Sequence, residues 1–160
     1  MTEIVLLLAS PIHRYEGRPA DGALPFDGDE LPDSIEIAEG LGVVGDRYFG
    51  HRAHRQESVT IIAVESIERL GDGLDASRSR RNIVTRGIDI DSMRGQTFSL
   101  DSGDGPVLFH AHRPANPCAW MDVELAPGAF RGLSGRGGMR CEPLSDGRLR
   151  LGPVTLLLQP

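Results

Sequence analysis

Two thiols, Cys118 and Cys141, are the only sulfur nucleophiles in the chain, and their surroundings in sequence differ. Cys118 follows Asn116-Pro117. Pro117 fixes its own φ and pushes Asn116 toward an extended conformation, so the sulfur is presented stiffly. His110, His112 and Arg113 lie just upstream. In a strand His110 and His112 share a face, and positive charge near a thiol favours thiolate, the form that attacks a persulfide or ligates a soft metal. The same spacing also suits a cysteine that only packs, since unpaired cysteines are among the most buried residues. Cys141 follows Met139-Arg140, has no nearby histidine or preceding proline, and reads as a packing residue.

Three further segments could bind a polar ligand. Gly42 to His51 sets Asp46, Arg47, Tyr48 and Phe49 among turn glycines, which suits either the wall of a polar pocket or an Asp–Arg pair holding a turn. Arg80-Arg81-Asn82-Ile83-Val84-Thr85-Arg86-Gly87 places guanidinium groups at both ends of a short strand. It reads as a phosphate clamp or as a solvated basic run. Gly132, Gly135, Gly137 and Gly138, with Arg131 and Arg136, could cradle an anion through backbone amides, although a flexible loop accounts for them better. His51 and His54 lack the CxxC or HExxH companions of a zinc site and are expected at the surface.

Composition removes several functions. All 17 basic residues are Arg, and without lysine the chain can form neither a pyridoxal-phosphate Schiff base nor a P-loop. A net charge of −6 repels nucleic acid and anionic membrane surfaces. The apolar run Ile4 to Ala9 lacks a basic leader and is far shorter than the roughly 20 residues that cross a bilayer. With two cysteines and no leader, free thiols in a cytoplasmic setting are expected.

The elements that must position these groups read as mainly β. At 160 residues one domain, 1–160, is expected, and 20 Gly and 11 Pro favour short strands joined by turns. Strands are expected at Ile4–Ala9, Ile35–Ala38, Val59–Ala63, Asn82–Thr85, Thr97–Leu100 and Val107–His112. Residues 10–34 form an irregular excursion rich in Pro and Gly. Val64, Ile67 and Leu70 fall at helical spacing before Gly71. Asp146-Gly147 predicts a hairpin joining Arg140–Leu144 to Leu149–Leu151, and Val154–Leu158 a closing core strand. With no repeat or linker, the strands should close into a β-barrel flanked by a few short helices.

In order, Gly45-Asp46-Arg47-Tyr48-Phe49-Gly50, the helix holding Glu65, Arg81 to Gly87, Gly95-Gln96-Thr97-Phe98 and Pro117-Cys118 resemble the MOSC domain family, over roughly Leu41 to Leu158. That resemblance implies a barrel of the pyruvate-kinase type and a pterin-based molybdenum cofactor as ligand. It also implies a cysteine that carries sulfur or ligates molybdenum. Carried onto this sequence, Cys118 is the sulfur carrier or metal ligand. Arg81, Asn82, Arg86 and Gly87 surround the cofactor's phosphate or dithiolene, and Asp46 and Arg47 complete the pocket. Lacking lysine, the chain would depend on a separate cysteine desulfurase for sulfur, or on an electron-donor protein. The leading expectation is cofactor binding with sulfur handling through Cys118. The others are a cofactor-dependent reductase of N-hydroxylated compounds, a non-catalytic ligand-binding module and, weakest, a histidine-based metal hydrolase.

Overall fold

The computed structural model describes residues 1–160. In chain order its strands and helices are β1 (Glu3–Leu7), β2 (Ser34–Ala38), β3 (Gly42–Val43), β4 (Val59–Ala63), α1 (Val64–Glu68), β5 (Ile83–Arg86), β6 (Thr97–Asp101), β7 (Val107–Pro114), α2 (Trp120–Glu124), α3 (Ala129–Gly132), β8 (Met139–Pro143), β9 (Gly147–Arg150), β10 (Gly152–Pro153) and β11 (Thr155–Leu158). Eight strands form one sheet in the order β10-β1-β5-β4-β8-β7-β6-β11. Its two ends, β10 and β11, are consecutive in sequence around buried Val154, whose N–H donates to the Thr2 carbonyl. The chain thus passes from one edge of the sheet to the other, and the sheet is nearly closed into a barrel. A second sheet, β3-β2-β9, turns Ile35, Ile37, Val43 and Leu149 into the same core.

Burial follows from the sequence patterns. In β7 the residues alternate, with Val107, Phe109 and Ala111 inside and Leu108, His110 and His112 on the other face, and β2 alternates likewise. All five residues of β4 are buried because both its faces are covered. Val59, Ile61 and Ala63 point into the barrel, while Ile62 joins an outer cluster with Ile67, Trp120, Met121 and Leu133. A continuous apolar run is what such a doubly covered strand requires. β4 and β5 run parallel and every other pair is antiparallel, so α1 lies on the crossover between them. No helix is long and apolar enough to cross a membrane. The excursion carries only a 3₁₀ turn at Pro19–Asp21.

Three expectations are corrected. Asp146-Gly147 does not close a hairpin: β8 pairs with β4 and β7, whereas β9 crosses to β2. A type I′ turn needs positive φ at both central residues, and Gly147 is not in that region. Glycine is required there for space instead, since a Cβ would lie 2.5 Å from Val107 Cγ2. Nor is the last strand a core strand. β11 pairs only with β6, and Leu157 and Leu158 are 59% and 55% exposed. The helix after β4 is also shorter than its periodicity suggests, ending at Glu68 with Arg69 as its cap.

Candidate functional site

Cys118 lies between the end of β7 and the start of α2, and its side chain is exposed. Its carbonyl accepts a hydrogen bond from Met121 N at 3.0 Å, which ties it to the first turn of α2. The approach to it is held by backbone packing. Ala115 is buried, and its N–H donates to the Gly138 carbonyl at 2.8 Å. A Cβ on Gly137 would sit 2.2 Å from the Ala115 carbonyl oxygen, and one on Gly138 would sit 2.1 Å from that of Ile61. The glycine-rich segment before β8 therefore serves close backbone contact rather than looseness.

Arg81 joins these two segments. Its Nε donates to the Gly137 carbonyl at 3.0 Å and its Nη2 to the Ala115 carbonyl at 3.1 Å, so one guanidinium fixes the chain on both sides of the pocket. Burial lowers its pKa to about 10, helped by the positive charge of Arg140 and opposed by Cys118 and Tyr48. It stays charged at neutral pH.

Around Cys118 lies a cavity of about 210 Å³ lined by His13, Arg14, Tyr15, Arg47, Tyr48, Ser79, Arg80, Arg81, Asn116, Trp120, Met121 and Arg140. Five of these are arginines and none is a carboxylate. Behind the lining, Arg47 Nη1 donates to Asp46 Oδ1 at 3.0 Å and its Nη2 to the Arg80 carbonyl at 3.2 Å. Asp46 also accepts from Ser10 N and Tyr48 N, which ties the β3–β4 connection to the start of the excursion. Arg80 has a positive φ of 60°, the only non-glycine residue to do so, and strain of this kind concentrates at functional sites. Its Nη2 donates to the Ile12 carbonyl. Its Nη1 stands 2.8 Å from Glu30 Oε1, an ion pair in distance without the alignment of a hydrogen bond.

The excursion supplies His13, Arg14 and Tyr15 to the wall. Tyr15 stacks on Trp120 with ring centroids 5.0 Å apart and planes 8° from parallel, and its hydroxyl donates to the Arg78 carbonyl. Burial pushes the Tyr15 phenol up, aided by Glu124. His13 packs edge-on against Tyr48 at 5.1 Å, and burial, with Arg47 nearby, lowers its pKa.

The structure brings Cys118, Arg47 and Arg81 to one cavity, with Asp46 behind it. It places the other expected site residues elsewhere. Asn82 is buried and spent on the fold: its Oδ1 accepts from Thr60 N and Oγ1, and its Nδ2 donates to the Leu8 carbonyl, which joins the end of β1, β4 and the start of β5. Arg86 pairs with Glu68 and Glu3, and Gly87 N donates to Glu65. Neither lines the cavity.

The positive charge near sulfur comes from a different source than expected. His110 and His112 do share a face, with rings 4.6 Å apart, but His112 binds Glu142, His110 binds Thr97, and Arg113 pairs with Glu57. They lie outside the cavity because β7 bulges between Ala111 and Arg113 before the chain turns to Cys118. Arg140 was missed because it reaches the site through the β7–β8 and β4–β8 pairings, which no local pattern announces. The triplet His13-Arg14-Tyr15 did carry a signal, being polar and aromatic in a long loop.

No family model matches the chain, and no curated protein sequence does. Solved structures do match. YuaD from Bacillus subtilis superposes with a TM-score of 0.66 at 16% identity, over 98% of this chain and 94% of that one. YiiM from Geobacillus stearothermophilus gives 0.62 at 14% identity, over 100% and 76%. YiiM from Escherichia coli gives 0.53 at 14% identity, over 99% and 70%. At these identities the likeness is one of fold, and the fold of this chain is MOSC-like.

Proposed function

We propose that the protein binds a pterin-type molybdenum cofactor at the arginine-lined cavity and handles sulfur through Cys118. One observation carries this reading: an exposed thiol opens into a cavity with five arginines and no lining carboxylate, in a chain of net charge −6. A thiolate is a soft ligand and sulfur nucleophile, and guanidinium forks match phosphate oxygens.

The donor set fits such a cofactor. Arg14, Arg47 and Arg80 already face carboxylates, whereas Arg81 spends two donors on carbonyls and Arg140 pairs with no carboxylate. Arg81 and Arg140 are therefore the residues left to hold the cofactor's anionic groups, with Cys118 as the sulfur-bearing or metal-ligating residue. The cavity volume suits the charged end of the cofactor rather than the whole of it. When bound, the cofactor supplies a metal centre that accepts sulfur or exchanges electrons. The chain's own residues hold the anion, present the sulfur from a fixed loop, and shield one side with the Tyr15–Trp120 stack. No lysine is present for pyridoxal-phosphate desulfuration, so sulfur drawn from cysteine would have to be delivered by a separate desulfurase.

The test is molybdenum and pterin content of protein expressed in a cofactor-producing host, comparing wild type with Cys118→Ser and Arg140→Ala. Cofactor that copurifies and falls in both variants supports the reading. Absence of cofactor from wild type, together with no persulfide on Cys118 after incubation with a desulfurase and cysteine, contradicts it.

A further inference from the structure

We infer that the Cys118 cavity takes its sulfur from a small anionic sulfane donor of the thiosulfate class, with Arg81 and Arg140 receiving the oxyanion end. This rests on Cys118 being a sulfur carrier and names what the carrier can draw on directly.

Three features point to such a ligand. The cavity, at about 210 Å³, is smaller than the roughly 300–1,000 Å³ of sites for drug-sized ligands and suits a small ion. Its lining is cationic: Arg14, Arg47 and Arg80 are paired with Glu30 and Asp46, which leaves Arg81 and Arg140 without carboxylate partners. Finally, the exposed thiol and the arginines without carboxylate partners share one cavity, so an anion held there would bring its sulfane sulfur to Cys118.

The chemistry closes without an oxidant. The Cys118 thiolate attacks the outer sulfur of thiosulfate. A new S–S bond forms at Cys118 Sγ, the S–S bond of thiosulfate breaks, and its electron pair leaves with sulfite. The transferred sulfur stays on Cys118 as a persulfide anion. A second nucleophile then attacks that terminal sulfur and restores the thiolate; with cyanide the product is thiocyanate. The arginines act twice, first by binding the dianion and then by stabilising the departing sulfite.

The experiment incubates the full chain with thiosulfate, follows sulfite release and the gain of one sulfur atom by intact mass, and then adds cyanide and measures thiocyanate. The expected result is sulfite and persulfide in equal amounts, located at Cys118, and none in Cys118→Ser. Arg140→Ala should raise the KM for thiosulfate about tenfold, as loss of a charge-assisted contact does, and Arg140→Lys should recover part of it. A parallel arm supplies sulfur from a desulfurase and cysteine. Persulfide from the desulfurase but none from thiosulfate overturns this inference and leaves the sulfur-carrier reading standing; persulfide from neither overturns both. A thiosulfate reaction unaffected by Arg140→Ala also overturns it, because the arginines would then have no part in donor binding.

Discussion

The two cysteines are the same side chain in opposite surroundings. Cys141 sits within β8 at 0% exposure, among apolar residues of the barrel core, and burial pushes its thiol far up. Cys118 is exposed on a loop fixed by Arg81 and flanked by arginines. Both lie near the same strand, since Met139 and Arg140 precede Cys141, but the pleat sends Arg140 to the cavity and Cys141 to the core. Reactivity here is decided by which face of β8 a group occupies and by what packs on it.

The largest contrast should appear in alkylation of the native protein by iodoacetamide. Cys118 should react quickly, whereas Cys141 must wait for the barrel to open. A domain with ordinary stability then gives a rate ratio on the order of 1,000 or more. Comparable rates would mean that the core around Cys141 opens locally and would dissolve the contrast.

Next in size is Asp46→Ala. It removes the partner of Arg47, whose side chain is 8% exposed, together with two backbone acceptor contacts, and should cost about 3–5 kcal/mol in chemical denaturation. A loss below about 1 kcal/mol would show that Arg47 reaches solvent once freed.

Serine substitutions sharpen the comparison of the thiols themselves. Cys141→Ser buries a hydroxyl among apolar neighbours and should cost about 1–3 kcal/mol. Cys118→Ser should stay within about 0.5 kcal/mol while abolishing sulfur loading. Equal costs would place both residues in packing roles.

The smallest effect is one of pH. Burial works against the Glu30 carboxylate, but the Arg80 guanidinium 2.8 Å away and hydrogen bonds from Ser10 and Arg14 hold its pKa below the usual value. Its folded-state pKa is thus depressed, so its contribution to stability is full above the unfolded carboxylate value of about 4.3 and disappears as pH falls through the folded one. Glu30→Gln should therefore lower stability at pH 7 and narrow its deficit against wild type in more acidic solution. A deficit that stays constant with pH would exclude the ionic role.

The sequence showed the strands whose burial follows local periodicity. Alternation in β2 and β7 and the unbroken apolar run of β4 were readable. Residues brought together by long-range pairing were not. Arg140 and the His13-to-Tyr15 segment meet at Cys118 only because β8 lies between β4 and β7 and the excursion folds back onto α2. Two local signals misled for the same reason. Asp146-Gly147 carried the letters of a hairpin, but the pairing of β9 with β2 overrode them. The apolar residues of β11 suggested a core, but that strand lies at the sheet's end with Leu157 and Leu158 outward and only Leu156 against the core.

The most direct test of the central claim is to locate transferred sulfur after incubation with a cysteine desulfurase and cysteine, using peptide mass spectrometry that resolves the two thiols. The account predicts persulfide on Cys118 and none on Cys141, with loading lost in Cys118→Ser. Loading absent from Cys118, or unchanged in Cys118→Ser, would contradict it.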